Sequence, residues 1–225
     1  MKNKKAVKNI RGKLLTDPGK FRKKIEAAKI LVFDWDGIFN DGTKGQIPSS
    51  FNEVDSMGIN MLRFGYFLKN KKNPVTAIVT GERNETAIQW AEREHFHHVF
   101  LKAKNKVDVL DQLLQGNDLK KEEILFVFDD IHDLSLARVA GTRILVSNRG
   151  ARLFAEYCKK MKYCDYITKN PGGGFALREI SELVLDQLGL LKKTFESRIN
   201  FDGQYAEYFQ IRNQVKPVIQ EMKNP

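Results

Sequence analysis

Cysteine is scarce in this chain. Only Cys158 and Cys164 occur, too few for a secreted disulfide scaffold, and their spacing offers no partners for a tetrahedral zinc site. That usage implies a reducing, cytoplasmic setting. Long apolar runs are missing as well. Segments 30–33 and 124–128 fall far short of the roughly 20 residues a membrane helix needs, so no membrane partner is expected. No apolar stretch follows the basic segment 1–24 in the way a secretory signal requires. The same segment has Phe21 as its single aromatic and so lacks the stacking platform of a single-strand nucleic-acid binder. No internal repeat or low-complexity tract interrupts the chain.

The 225 residues, 42% of them hydrophobic, suffice for one well-buried domain with extensions. A formal charge of +10 is compatible with nucleic acid, an anionic surface or anionic small substrates as partners. Much of the excess sits between Lys2 and Lys24, where a solvated tail or helix face accounts for it, and nucleic acid is disfavoured.

From residue 30 onward, β-rich apolar runs alternate with stretches of helical period. This is the pattern of a doubly wound parallel α/β sheet. The runs predict strands at 30–33, 75–80, 99–101, 124–128, 143–146 and 166–168. Helices are expected at 59–69, 85–94, 106–114, 134–139, 151–161 and 176–188, the last stopped by Gly189. Residues 1–28 and 191–225 stand outside the alternating block 29–190. The latter, rich in Phe and Tyr, is expected to pack on its own domain or on a neighbouring subunit.

Open parallel sheets bind ligands beyond the carboxyl ends of their strands. The first predicted strand ends in Asp34 and Asp36, the second in Thr80 and Gly81, the fourth in Asp129 and Asp130 with Asp133 a turn later. Carboxylates converging there repel unless a hard divalent cation intervenes, and Mg²⁺ suits oxygen ligands shared with substrate phosphate. Lys106 adds a fixed positive charge to the same edge, in competition with Lys102 and Lys104. Cation, ammonium, hydroxyl and a carboxylate pair are the parts for phosphoryl transfer. His95, His97 and His98 match no standard metal spacing and read as a helix end followed by a strand. His132, between the motif carboxylates, reads as bland too.

These residues resemble the haloacid dehalogenase superfamily of aspartyl-phosphate phosphatases. The match is carried by "DWDG" (34–37), "VTG" (79–81), "NK" (105–106) and "FDDIHD" (128–133), in that order. The resemblance implies Asp34 as nucleophile and metal ligand, and Asp36 as acid/base, also a ligand through its main-chain carbonyl. Thr80 and Lys106 would hold the phosphoryl group. Asp129 would complete the metal shell, with Asp130 and Asp133 in support.

Only 43 residues separate Asp36 from Thr80 and 25 separate Thr80 from Lys106, which leaves no room for a cap domain. That absence, with "DGIFNDG" (36–42), "FNEVDSMGI" (51–59) and "GGGFALREI" (172–180), resembles the group of 3-deoxy-D-manno-octulosonate 8-phosphate (KDO-8-phosphate) and sialate or KDN 9-phosphate phosphatases. The likeness implies a β-hairpin flap, a homotetramer, and a small phosphorylated sugar acid as substrate, its product feeding cell-surface glycans such as lipopolysaccharide. Asp55, Gly81, Glu82, Arg83 and Arg178 are its candidate substrate contacts. Ser56 and Glu82 point to the nine-carbon branch. Phe128 and Phe175 stand where the family usually has Gly, and Phe128 is expected to narrow the site or alter its backbone. Phe128 and the flanking extensions motivate the competing reading, a weakly active protein that binds partners through its basic N-terminal arm and aromatic C-terminal tail.

Overall fold

The computed structural model describes residues 11–45, 50–115 and 119–223. In chain order these form β1 (Lys13–Leu14), α1 (Pro18–Ala27), β2 (Ile30–Phe33), α2 (Glu53–Asn70), β3 (Val75–Val79), α3 (Glu85–Glu94), β4 (His98–Leu101), α4 (Leu110–Leu114) and β5 (Ile124–Phe128). Then follow α5 (Leu134–Ala137), β6 (Thr142–Ser147), α6 (Arg152–Lys160), β7 (Tyr166–Pro171), α7 (Ala176–Gln187), α8 (Leu191–Asn200), α9 (Gly203–Asn213) and β8 (Val218–Glu221).

The strands form one sheet in the order β1-β7-β6-β5-β2-β3-β4-β8, parallel except for β1, which runs antiparallel to β7. Connections run outward in one direction from β2 to β4 and in the other from β5 to β7, so the switch point lies between β2 and β5. Phe33 stands opposite both Ile78 and Val127. That register brings Asp34, Thr80 and Asp129, each just past its strand, to one edge.

Both faces of the sheet are covered, which is why the strands read as unbroken apolar runs. Leu31 and Phe33 join Phe21 and Ile25 of α1, Leu62 and Tyr66 of α2, Trp90 of α3 and Ile180 of α7. Ile30 and Val32 face the other way, with Leu113 of α4, Leu136 of α5 and Cys158 of α6. Helices α2 and α7 come close because Gly58 and Gly65 of α2 lie against Arg178 and Leu185 of α7, where a Cβ would collide.

Every predicted strand is present. Helix α2 begins earlier than expected because Asn52 caps it, its side chain accepting from Asp55 N at 2.8 Å. The helix expected over 106–114 opens as a 3₁₀ turn, Lys106–Val109, before α4; the Val107 N–H is drawn to Ser135 Oγ at 3.2 Å.

Part of the expected flap hairpin, residues 46–49, lies outside the described residues. On the described part, residues 41–45 form no strand. There Asn40 Oδ1 accepts from Gly42 N at 2.8 Å and Asp41 Oδ1 from Thr43 N at 2.9 Å, side-chain turns that take the place of a ladder. No cap domain is inserted among the described residues; α2 and α3 fill the two intervals.

The flanking segments join the body. In the segment read as a solvated tail or helix face, Phe21 and Ile25 are buried and Lys24 reaches buried Asp165 at 2.7 Å, while residues 1–10 lie outside the described residues. At the other end Tyr205 and Tyr208 pack with Phe64 and Phe67 of α2, and β8 extends the sheet beside β4.

Candidate active site

The apolar run of β2 ends at Phe33, and beyond Asp34 the fully buried ring of Trp35 stacks on Phe39 at 4.5 Å between centroids. Anchoring the residue between Asp34 and Asp36 fixes the turn that presents both carboxylates. Gly37, at φ +80°, follows for a steric reason: a Cβ there would meet Asp129 Oδ2 at 2.1 Å. The loop after β2 and the acidic loop thus touch through a glycine.

Asp34 is buried and its Oδ1 lies 2.5 Å from Lys106 Nζ, which also contacts Asp133 Oδ1. Burial alone would lower the Lys106 pKa, but Asp133 and Asp34 hold the ammonium charged. Asp133 Oδ2 accepts from Asp129 N at 3.2 Å and Asp130 N at 3.1 Å, so it orients the acidic loop as well as the lysine. One oxygen each from Asp34, Asp129 and Asp133 lie within 4.8 Å of one another.

That density of charge has a measurable consequence. Burial, followed by the charges of Asp34, Asp133 and Asp130, pushes Asp129 up to about 8. Burial pushes Asp34 to about 7 against the pull of Lys106. Among the described residues no ion pair reaches Asp129, so Lys106 alone does not offset these carboxylates when all of them are ionised. A divalent cation with oxygen ligands fits that imbalance and that donor set.

The cleft above this cluster encloses about 390 Å³. Thr80, buried to 2% exposure, and Gly81 line it beside Asp34, Asp36, Lys106, Asp129, Asp130 and Asp133. Asp36 Oδ2 pairs with Lys44 at 3.2 Å, and Glu82 at the rim pairs with Lys104 at 2.5 Å. Of the competing lysines, Lys106 is the buried one inside the cluster, Lys104 is on the rim, and Lys102 turns to Glu221 at 2.8 Å.

Asp55 and Arg83, expected to touch substrate, lie elsewhere, and Arg178, expected to reach the substrate of a neighbouring subunit, also lies outside this chain's cleft. Asp55 is a buried carboxylate whose Oδ1 accepts from Arg178 N at 2.7 Å, capping the start of α7, where Phe175 supplies no side-chain cap. Arg83 faces away, bridging Glu85 at 2.6 Å and Glu221 at 2.5 Å. Arg178 pairs with Glu182 at 2.6 Å and lies over the Phe195 ring.

Phe128 does not narrow the cleft. It is fully buried in the sheet, stacked on Phe126 with centroids 5.6 Å apart, and is not among the residues that line the cleft. Ser56 is likewise turned inward and accepts from Trp90 Nε1 at 2.9 Å. The histidines behave as read: His97 Nδ1 meets the Thr76 hydroxyl at 2.9 Å and His95 Nδ1 lies 3.0 Å from Val215 O.

Sequence reasoning missed Lys44 and Asn148, and it set His132 aside; all three line the cleft. Asn148 had a signal, since it is the polar residue just past β6. The glycine run earns its place sterically. A Cβ on Gly172 would lie 1.8 Å from Gly37 O, and one on Gly173 2.9 Å from Asp41 N, so the loop after β7 is the floor of the turn that follows β2. Glu179 holds that loop, accepting from Tyr166 Oη, Lys169 N and Asn170 N at 2.7 to 2.9 Å.

No family model matches the chain. Among curated proteins, it is 25% identical over 173 residues to the 3-deoxy-D-manno-octulosonate 8-phosphate phosphatase KdsC of Salmonella typhi, covering 75% of this chain and 85% of that one. The KdsC of Yersinia pestis is 24% identical over 162 residues, covering 70% and 79%. Among solved structures, a probable YrbI family phosphatase from Pseudomonas syringae superposes with a TM-score of 0.67 at 28% identity, over 82% of this chain and 99% of that one. The Moraxella catarrhalis 3-deoxy-D-manno-octulosonate 8-phosphate phosphatase, solved with magnesium, phosphate and KDO, gives 0.65 at 24% identity, over 80% and 98%.

Proposed function

We propose that this chain, a phosphatase of the haloacid dehalogenase superfamily and hence a phosphoric monoester hydrolase, acts with Mg²⁺ on KDO-8-phosphate through an aspartyl-phosphate at Asp34. The carrying observation is the buried Lys106 set between Asp34 and Asp133, with Asp129 adjacent, at the base of a cleft of about 390 Å³. A cleft of that size exceeds a phosphate group and leaves space for a sugar acid under Lys44, Lys104, His132 and Asn148.

Asp34 attacks the phosphorus and displaces the sugar alkoxide, forming the acyl phosphate. Asp36 gives its proton to the departing oxygen, then removes one from the water that hydrolyses the intermediate. Lys106 and the Thr80 hydroxyl hold the phosphoryl oxygens as charge shifts among them. Asp34, Asp129 and the Asp36 carbonyl would hold the metal, with Asp130 and Asp133 behind them; when bound, it neutralises phosphoryl charge. Lys44, paired with Asp36, sits where an incoming carboxylate or phosphate would compete for it.

The octulosonate substrate is preferred to a nine-carbon one. The named relatives support it, and Ser56, which had suggested the other branch, is buried against Trp90 and outside the cleft. With Phe128 buried and outside the cleft lining, the reading that it narrows the site loses support. The reading keeps 29–190 as the catalytic unit, with 1–28 and 191–225 as flanking segments, in a cytoplasmic homotetramer.

The test is phosphate release with Mg²⁺ across sugar phosphates, including KDO-8-phosphate and the sialate and KDN 9-phosphates. KDO-8-phosphate should turn over fastest, with activity lost on chelation and in Asp34→Asn. Turnover that survives either treatment overturns the mechanism, and a faster nine-carbon substrate overturns the assignment. Sedimentation of the intact chain checks the tetramer.

A further inference from the structure

Helix α6 covers one face of the sheet with Cys158, helped by Phe154 and Ala155. Its opposite face is unusual for a solvated surface. Leu153, Tyr157 and, just past the helix end, Met161 are 86%, 48% and 44% exposed. Spaced four residues apart, they line up along one side of the helix. Arg149, Arg152, Lys160 and Lys162 are exposed around them. The acid on this face, Glu156, is already paired with Lys159.

From this arrangement we infer that α6 is a docking face for an anionic phospholipid surface, with Leu153, Tyr157 and Met161 entering the headgroup boundary and the four cations meeting lipid charge. A helix lying in an interface has this division, apolar residues along one line and Lys or Arg beside it. The charge beside the apolar line selects the occupant. Arg149, Arg152, Lys160 and Lys162 leave this face with more cation than Glu156 offsets, which favours a partner carrying negative charge. Asn148, which lines the cleft, stands just ahead of the helix, so docking along α6 holds the cleft mouth beside the surface.

The test uses the full chain and two vesicle types, phosphatidylcholine alone and phosphatidylcholine with about 30% phosphatidylglycerol. Cosedimentation should occur with the anionic vesicles only and fall steeply as NaCl rises toward about 0.5 M. Leu153→Glu with Tyr157→Glu should weaken it roughly tenfold, and Arg152→Gln with Lys160→Gln severalfold. Phosphatase activity and the urea midpoint should be unchanged in both. Equal binding to the two vesicle types, or anionic binding that both double variants retain, overturns the inference. So does capture by immobilised polyglutamate without vesicle binding, which assigns the face to an acidic protein.

Discussion

Lys106 Nζ lies 2.5 Å from Asp34 Oδ1 and also contacts Asp133, so one buried ammonium serves both the carboxylate proposed as nucleophile and the residue that holds the acidic loop. Lys106→Met should therefore lose transition-state charge stabilisation and loosen the geometry around Asp129. A fall in kcat of roughly a hundredfold or more is expected, measured as phosphate release at saturating Mg²⁺. Activity within a few-fold of the parent would remove Lys106 from the reaction.

Asp55 was expected in the cleft and instead caps α7. The carboxylate is 1% exposed, and it also accepts from Asn52 Nδ2 at 2.7 Å. Asp55→Ala should cost about 2 kcal/mol in urea unfolding while leaving KM within about twofold. A large rise in KM at unchanged stability would restore the substrate-contact reading.

His97 ties stability to pH. Burial, then the charges of Arg63, His98 and Lys72, lowers it from the usual value to about 4. The unfolded chain takes up a proton near pH 6.5 while the folded chain resists until about 4, so the contribution is complete above 6.5 and is lost as pH falls across that window. With the ring partly exposed, the loss amounts to about 2 kcal/mol. Urea midpoints between pH 7.5 and 4.5 should show it, and His97→Gln should flatten that part of the curve. An identical slope in the variant would refute the role.

The central sheet was legible because burial on both faces leaves unbroken β-branched and aromatic runs, and the carboxylates at their ends marked the site. The sheet's two flanks were not. β1 has two residues, and β8, "VIQE", has three of its four residues exposed, so neither carries an apolar period. Asp55 and Arg178 are 123 residues apart in the chain, and a cap formed across that distance leaves no local signature. Phe128, by contrast, was readable. Two residues after Phe126 on one strand, it had to share that side chain's face, away from Val127.

Phe175 provides the sharpest test of what the glycine run is for. It adopts φ 73°, ψ 26°, the left-handed conformation, at the start of α7, where the resemblance leads one to expect glycine. An L-residue is strained there by about 1–2 kcal/mol. The ring is 49% exposed and returns only part of that through burial. Phe175→Gly should therefore stabilise the chain by about 1 kcal/mol, the relief of strain outweighing the greater freedom of glycine when unfolded. Phe175→Val, branched at Cβ and worse in this conformation, should lose about as much. The loop it closes is the floor beneath Gly37, so the glycine variant should also keep kcat. If Phe175→Gly instead destabilises the fold, the exposed ring makes a contact worth more than the strain it imposes, and the loop depends on that side chain rather than on backbone freedom.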